Sequence, residues 1–294
     1  MPGSPAVRLR FRDKDVPQDR PLVMAIVNRT RDSFFDRGRT FEVDAATAAV
    51  DRAVADGADI VDIGGVRAGA QGEVVDAAEE IRRVVPFVSA IRERHPNLVI
   101  SVDTWRHEVA RPVCEAGADL LNDTWAGADP KLAEVAAEFG VGVVCSHTGG
   151  LPPRTDPYRV RYADVVAEVT AELVARAERM VELGVPAQGV LIDPTHDFGK
   201  NTWHGLALLR RIGELVDTGW PVLMALSNKD FIGETLDVPV DQRLEGTLAA
   251  TAIAAWGGAR VFRAHHVVET RRVVEMVAAI AGTHPPAHVR RALA

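Results

Sequence analysis

The chain alternates between short apolar runs and longer amphipathic segments, and this alternation limits its fold more than any other feature. Each of eight runs rich in Val, Ile and Leu precedes a segment with helical periodicity. Runs that are apolar at nearly every position are typical of strands buried on both faces, as in parallel sheets. The predicted strands are Pro21–Val27, Asp59–Ile63, Leu98–Val102, Ala118–Leu121, Val141–Cys145, Gly189–Ile192, Pro221–Leu226 and Arg260–Phe262.

Eight predicted helices follow these strands, and several of them end at a glycine directly before the next strand. Glycine stops a helix because it readily adopts the left-handed conformation. The alternative fold, a doubly wound open sheet, has no G-x-G-x-x-G fingerprint here to support it. We therefore predict an α/β fold, specifically a (β/α)8 TIM barrel. The predicted helices are Val43–Asp56, Asp76–Glu93, Arg106–Ala116, Lys131–Phe139, Tyr162–Leu183, Trp203–Thr218, Arg243–Trp256 and Val268–Ile280.

The predicted barrel occupies residues 21–282 of the 294, between an N-terminal extension (1–20) and a C-terminal tail (283–294). This length suits either two average domains or one large barrel, and eight units without a linker favour a single domain. Charged and apolar residues alternate over Arg8–Phe11, which predicts half of a hairpin closing the bottom of the barrel.

Charge and composition exclude several classes of partner. The chain contains 34 Lys and Arg residues and 41 Asp and Glu residues, which gives a net charge of −7. We therefore expect no nucleic-acid partner and no binding to an anionic membrane. No apolar run of about 18 residues predicts a membrane span. Cys114 and Cys145 have apolar neighbours and no C-x-x-C spacing, which indicates two buried, reduced thiols. We therefore expect a cytoplasmic protein.

Every predicted strand has polar residues at its carboxyl end, where the active sites of this fold lie. A single such residue is ordinarily a helix N-cap or a turn residue. Because all eight strands share the feature, we interpret these residues as one convergent polar ring. Its members are Asn28, Asp62, Asp103, Asn122-Asp123, Ser146-His147, Asp193, Ser227–Lys229 and Arg263–His265.

The ring divides into two chemical halves. Asp103, Asn122 and Asp193 supply acceptors, and a buried carboxylate needs paired donors. The edge of an amino-pyrimidinone offers adjacent N–H groups that bind a carboxylate as a guanidinium does. Lys229 adds a donor for carbonyl or nitrogen acceptors of such a heterocycle. The other half suits a phosphate or pyrophosphate and contains Asn28, Arg263 and His265.

These residues and their spacing resemble the dihydropteroate synthase family over nearly the whole chain, from Pro21 to Ile280. The first-loop motif of that family corresponds to Asn28–Phe34, and its Ser-Val-Asp-Thr to Ser101–Thr104. The remaining motifs correspond to Gly117–Asp119 with Asn122-Asp123, Asp193-Pro194 with Phe198–Lys200, Ser227–Gly233, and Arg263 with His265.

The resemblance implies a transferase of folate biosynthesis. That family condenses 6-hydroxymethyl-7,8-dihydropterin pyrophosphate with the aromatic amine 4-aminobenzoate and releases pyrophosphate, usually with Mg²⁺ and as a homodimer. Carried over by motif, the pterin would contact Asp103, Asn122, Asp193 and Lys229, and the pyrophosphate would contact Asn28, Arg67, Arg263 and His265. Asn28 would also contact the metal, and Val66, Arg67 and Ser227 would line the second-substrate pocket. Catalysis would consist of electrostatics and positioning by Arg67, Lys229, Arg263 and His265.

The chain departs from the family in the loop after the second strand. Gly64–Gly69 is two residues shorter than the family pattern and lacks its two hydroxyls and its proline, although Arg67 is kept. Three hypotheses follow: an active dihydropteroate synthase, a divergent paralogue that binds a pterin or another phosphorylated ligand without synthase activity, or methyl transfer from a folate to a corrinoid. Related barrels of the third kind usually accompany a cobalamin-binding module, which this chain lacks.

Overall fold

The computed structural model of the chain describes residues 8–30, 40–67, 69, 72–155 and 161–290. Residues 31–34 of the first-loop motif and Ala68 of the second loop, both used in the sequence comparison, lie outside the described residues.

A short antiparallel hairpin begins the described chain, with strands β1 (Arg10–Phe11) and β2 (Lys14–Asp15). Leu9 and Phe11 are fully buried and pack among the lower residues of the barrel interior, whereas Arg10 between them is exposed. The alternation of the sequence thus places apolar side chains on the inner face of the hairpin. The predicted hairpin at the barrel bottom is confirmed.

Eight parallel strands form the barrel. They are β3 (Leu22–Asn28), β4 (Ile60–Gly64), β5 (Val99–Asp103), β6 (Leu120–Asp123), β7 (Gly142–Ser146), β8 (Val190–Asp193), β9 (Leu223–Met224) and β10 (Val261–Ala264). Their order in the sheet is β8-β7-β6-β5-β4-β3-β10-β9. A parallel bridge between Ile192 and Val222 joins β8 to the chain entering β9, so the two ends of this order meet. The predicted (β/α)8 fold is confirmed.

The helices surround the barrel. They are α1 (Val43–Ala55), α2 (Ala77–Arg94), α3 (His107–Glu115), α4 (Lys131–Phe139), α5 (Val165–Glu182), α6 (Thr202–Arg210), α7 (Ile212–Val216), α8 (Asp230–Leu236), α9 (Leu244–Trp256) and α10 (Val267–Ala281). Within the described chain, none is long and apolar enough to cross a membrane.

Two predicted elements were wrong in detail. The segment predicted as one helix, Trp203–Thr218, forms α6 and α7, because Arg211 leaves the helical conformation with φ −110° and ψ 24°. The strand predicted over Pro221–Leu226 is reduced to β9, Leu223–Met224. The chain beyond it turns to form the additional helix α8 on the carboxyl-end face of the barrel.

Alternate residues of each strand face the helices and the barrel interior. In β4, Val61 and Ile63 belong to the apolar layer between strands and helices, whereas Ile60 belongs to the layer inside the barrel. Asp62, two residues above Ile60, therefore faces the interior as well. The same step of two residues leads from an apolar interior residue to a polar one in five other strands: Val99 to Ser101, Leu120 to Asn122, Val144 to Ser146, Leu191 to Asp193, and Val261 to Arg263.

Candidate functional site

Asp62 is the centre of the upper interior layer. Its side chain is fully buried and accepts hydrogen bonds from Arg263 Nε at 2.6 Å, Ser101 Oγ at 2.6 Å and Asn122 Nδ2 at 3.1 Å. Sequence reasoning placed Asp62 at a strand end but assigned it no role, and it did not select Ser101. Both occupy the inward register of their strands, which is the signal that could have identified them.

Asp103 lies beside this group and shares its arginine. Arg263 Nη2 donates to Asp103 Oδ2 at 3.2 Å, and Thr124 Oγ1 donates to Oδ1 at 2.6 Å. Burial raises the pKa of Asp103 well above its ordinary value, while Arg263 opposes the rise and the charge of Asp62 adds to it. Arg263 therefore stabilises two neighbouring carboxylates at the bottom of the barrel mouth.

Asp193 and Lys229 come from neighbouring loops on the other side of the ring. Asp193 Oδ1 accepts the Thr195 amide at 2.7 Å, and burial raises the pKa of Asp193 to about 6. Lys229 Nζ donates to the His196 carbonyl at 2.9 Å and lies 4.7 Å from the centre of the Phe198 ring. Burial lowers the pKa of Lys229, and the carboxylates of Asp197 and Asp193 oppose the shift.

The loop after β8 keeps a tight shape without glycine at two positions. Thr195 and Asp197 have φ of 50° and 70°, in the left-handed region that favours glycine. The Asp197 carboxylate compensates by accepting the backbone N–H of Asp230 at 2.7 Å. The side chain of His196 is fully buried and packs against the aromatic ring of Phe231. The backbone carbonyl of His196 accepts the hydrogen bond from Lys229.

Lys200 connects the loop after β8 to the loop after β7. Its Nζ lies within 3.0 Å of His147 Nδ1, and it donates to the carbonyls of His147 and Phe198 at 2.9 Å. His147 Nε2 lies 2.8 Å from Glu172 Oε2 on α5. Burial lowers the pKa of Lys200 to about 7 and that of His147 to about 3. The sequence showed Lys200 only as part of a motif, and its pairing with His147 could not be read from residues 53 positions apart.

The anion half of the predicted ring also assembles. His265 Nδ1 lies 3.0 Å from Ser227 Oγ, and the His265 backbone N–H donates to the same oxygen at 3.2 Å. Burial, with the positive charge of Arg263, lowers the pKa of His265 to about 3, so its imidazole is neutral at physiological pH. Asn28 ends β3 beside Gly64 of β4.

The three residues predicted to line the second-substrate pocket come from two different loops. Val66 is buried and Arg67 is half-buried in the loop after β4, where the preceding Gly65 is in close contact with Val84 and Glu80 of α2. Ser227, the third of the set, holds His265 instead. Val66 and Arg67 belong to the second loop. The other predicted site residues meet around the mouth, and they are Asn28, Asp103, Asn122, Asp193, Ser227, Lys229, Arg263 and His265.

Magnesium is the metal that the resemblance implies, and oxygen ligands are what it prefers. A Cβ placed on Gly64 would lie 3.4 Å from Asn28 Oδ1 and 4.0 Å from Asp103 Oδ2, so two oxygen donors converge there without a side chain between them. The described residues hold no cluster of three or more His, Cys, Asp or Glu side chains that would bind a metal alone. The donors fit an ion whose remaining ligands are phosphate oxygens and water.

Residues 24–265 match the sequence profile of the family described as pterin binding enzyme. The chain belongs to the pterin-binding enzyme family. It is 62% identical over 285 residues to an inactive dihydropteroate synthase 2 of Mycobacterium leprae, a match that covers 96% of this chain and 98% of that protein.

Solved structures of this family share the same fold. A Yersinia pestis dihydropteroate synthase in complex with a sulfonamide drug superposes with a TM-score of 0.87 at 35% identity, covering 93% of this chain and 98% of that one. A Xanthomonas albilineans dihydropteroate synthase in complex with 7,8-dihydropteroate gives 0.81 at 37% identity, with 93% and 98% covered. The prediction of a divergent dihydropteroate synthase-like member is confirmed at the level of the family, whose dihydropteroate synthases are transferases.

Proposed function

We propose that this protein binds a dihydropterin bearing a pyrophosphate in the barrel mouth and does not condense it with 4-aminobenzoate. The observation that carries the proposal is the assembled ring, in which Arg263 pairs with Asp62 and Asp103, Asn122 donates to Asp62, and Asp193 ends β8 at the same mouth. The second loop, which carries Val66 and Arg67, lacks the two hydroxyls and the proline of the family pattern. The name of the Mycobacterium leprae relative agrees with the loss of synthase activity, and the dihydropteroate bound by the Xanthomonas enzyme agrees with the pterin.

Asp193 would hold the amino-pyrimidinone edge. Each oxygen of a carboxylate accepts two hydrogen bonds, so Asp193 retains acceptor capacity beyond the bond from Thr195. Asn122 would present its carbonyl oxygen, because its Nδ2 already donates to Asp62. Lys229, fixed by the His196 carbonyl, would donate to the heterocycle.

The pyrophosphate would lie against the cationic side of the mouth. Arg263 is the fixed positive charge there, and His265, neutral, contributes a ring N–H whose direction Ser227 sets. A magnesium ion would be held by Asn28 and Asp103 and would neutralise charge on the phosphate oxygens. Arg67 remains a predicted phosphate contact from the second loop.

A homodimer is the assembly that we propose. α9 and α10 pack side by side, and both leave apolar residues on the outside of the barrel. Ile253 and Trp256 of α9 are 57% and 66% exposed, and Met276 and Ile280 of α10 are 61% and 60% exposed. Residues three or four positions apart share one helix face, so each pair forms an apolar patch on its helix, and in this proposal the two patches together form the dimer surface. A second copy of the chain would cover it.

The cytoplasmic location and the division into extension, barrel and tail stay predictions. Cys114 and Cys145 are buried free thiols, as predicted. A reduced compartment is consistent with both of them.

Titration calorimetry with dihydropterin pyrophosphate and Mg²⁺ tests the proposal. We expect saturable binding to the native protein, at least about 30-fold weaker binding by Asp193→Asn, because a charge-assisted pair is lost, and no change in the control Asp241→Asn, an exposed carboxylate. With 4-aminobenzoate added, we expect neither dihydropteroate nor released pyrophosphate. Formation of both products would show an active synthase, and absence of pterin binding would refute the proposal.

A further inference from the structure

The loop after β7 reaches the loop after β4. Arg154 donates from Nε to the Gly69 carbonyl at 3.2 Å, from Nη1 to that of Glu73 at 2.8 Å and from Nη2 to that of Gly72 at 3.3 Å. β4 and β7 are separated by two strands in the barrel, β5 and β6. The contact therefore joins two loops at the carboxyl ends of the strands, on either side of β5 and β6, which carry Asp103 and Asn122.

We propose that residues 149–155 form a strap across the mouth and that Arg154 is a specificity-determining residue. Through its contact with the second loop, Arg154 slows the release of a bound pterin and prevents the binding of an aromatic amine. The inference rests on the proposed function, because the pterin is the ligand proposed for the barrel mouth. The strap connects directly to the shortened second loop, where the family resemblance places the second-substrate pocket.

The sequence of the strap suits this role. Gly149 and Gly150 have φ of 67° and 75°, which lets the chain turn away from β7 at once. Pro152 and Pro153 then restrict the backbone, and Thr155 Oγ1 closes the turn by donating to the Pro152 carbonyl at 2.7 Å.

Arg154 itself is held in an uncommon conformation. Its φ is 61°, in the left-handed region that an arginine rarely adopts. The planar guanidinium donates in fixed directions, and its three bonds to carbonyls of Gly69, Gly72 and Glu73 hold these described parts of the second loop, which lacks the proline of the family pattern. Strained backbone is commonly kept where the side chain has a function. The left-handed conformation of Arg154, together with its hydrogen bonds to the second loop, therefore indicates a functional contact.

Two other described parts of the connection between β7 and α5 are held against the barrel. At the start, His147 is buried between Lys200 and Glu172. Beyond it, Tyr162 OH donates to the Gly199 carbonyl at 2.7 Å, in the loop that also carries Lys200. The strap therefore links the second loop to the loop after β8, which positions Asp193 and Lys229. In the proposed role, a ligand between these loops would be held from both sides, and an amine entering over the second loop would meet the strap.

The test compares Arg154→Ala and Arg154→Lys with Arg161→Ala. Arg161 lies in the same connection, is exposed, and forms no hydrogen bond with the described part of the second loop. In the protein without ligand, we expect Arg154→Ala to speed amide hydrogen exchange at residues 69 and 72–76 at least tenfold. We expect Arg154→Lys, which cannot donate in three fixed directions, to be intermediate, and Arg161→Ala to match the native protein.

Stopped-flow fluorescence then measures release of dihydropterin pyrophosphate, and calorimetry measures binding of 4-aminobenzoate to the pterin complex. We expect Arg154→Ala to release the pterin at least tenfold faster and to bind the amine where the native protein does not. Unchanged exchange in Arg154→Ala would overturn the strap, and faster exchange with unchanged release would overturn its role at the site. If the native protein binds no pterin, the proposed function and the specificity role fail together, and hydrogen exchange alone decides whether the strap exists.

Discussion

Arg263 spans β3 to form an ion pair with Asp62, since the two residues stand on β10 and β4, the neighbours of β3 on either side. The N–O distance is 2.6 Å and Asp62 is fully buried. The pair therefore stabilises the layer on which the candidate site is built, and it also sets the orientation in which Arg263 meets Asp103.

Replacing Asp62 tests this relationship. We expect Asp62→Asn to lower the free energy of unfolding by about 3 kcal/mol, because it leaves the guanidinium of Arg263 without its nearest buried counter-charge. Ser101→Ala, which removes one neutral donor from the same carboxylate, should cost about 1 kcal/mol. Urea denaturation monitored by circular dichroism gives both values. Equal losses in the two variants would show that Asp62 does not stabilise Arg263.

The pH dependence of pterin binding follows from Asp193. Its pKa is raised to about 6, and only the ionised carboxylate accepts from both N–H groups of the ligand. As the pH falls below 6, Asp193 takes up a proton and the affinity should drop, approaching tenfold per pH unit, whereas between pH 7 and 8 this residue should cause no change.

The measurement is the dissociation constant from pH 5 to 8 for the native protein and for Asp193→Asn. Titration of the ligand and of other residues affects both proteins, so the difference between the two curves reports Asp193. Parallel curves would show that Asp193 does not titrate against the pterin.

Much of the fold follows from the sequence because it depends on local periodicity. Runs such as Leu98–Val102 are apolar on both faces, and glycines such as Gly140, at φ 63°, end helices just before strands. The break at Arg211 and the helix α8 were missed, since neither is marked by proline or glycine at the point where the backbone changes. Tertiary packing decides those positions.

The site was predictable to the extent that it depends on strand register. Counting two residues up from an interior apolar position reaches Asn122, Asp193 and Arg263, and counting four up from Val99 reaches Asp103. The contacts between loops were not predictable, because partners such as Arg154 and Gly69 are 85 residues apart and no spacing relates them. The sequence shows that the second loop differs from the family pattern. It does not show that Arg154 of the strap contacts this loop.

Lys200 predicts an unusual pH dependence of stability. Its pKa is lowered from 10.5 to about 7, so between these values the unfolded chain binds more protons than the native protein. Lys200 should therefore make the free energy of unfolding rise with pH from 7 to 9, by at most about 1.4 kcal/mol per pH unit. Lys200→Met should lose this rise, whereas Lys131→Met, at an exposed position, should keep it. Urea denaturation at pH 7, 8 and 9 provides the slopes, and an unchanged slope in Lys200→Met would contradict the assignment.

The apolar surface of α9 and α10 predicts the oligomeric state. Trp256 is 66% exposed at its edge, and a glutamate there would place a charge inside the proposed dimer interface, where its desolvation is unfavourable. We expect Trp256→Glu to weaken the dimer at least about 100-fold, which corresponds to about 2.7 kcal/mol, and to sediment as a monomer at micromolar concentration. Trp203→Glu is the matched control, because Trp203 is 77% exposed at the start of α6, away from this surface, and should leave the dimer intact. Sedimentation velocity distinguishes the two species. A native protein that sediments as a monomer, or a Trp256→Glu variant that stays dimeric, would show that a second copy of the chain does not cover this face.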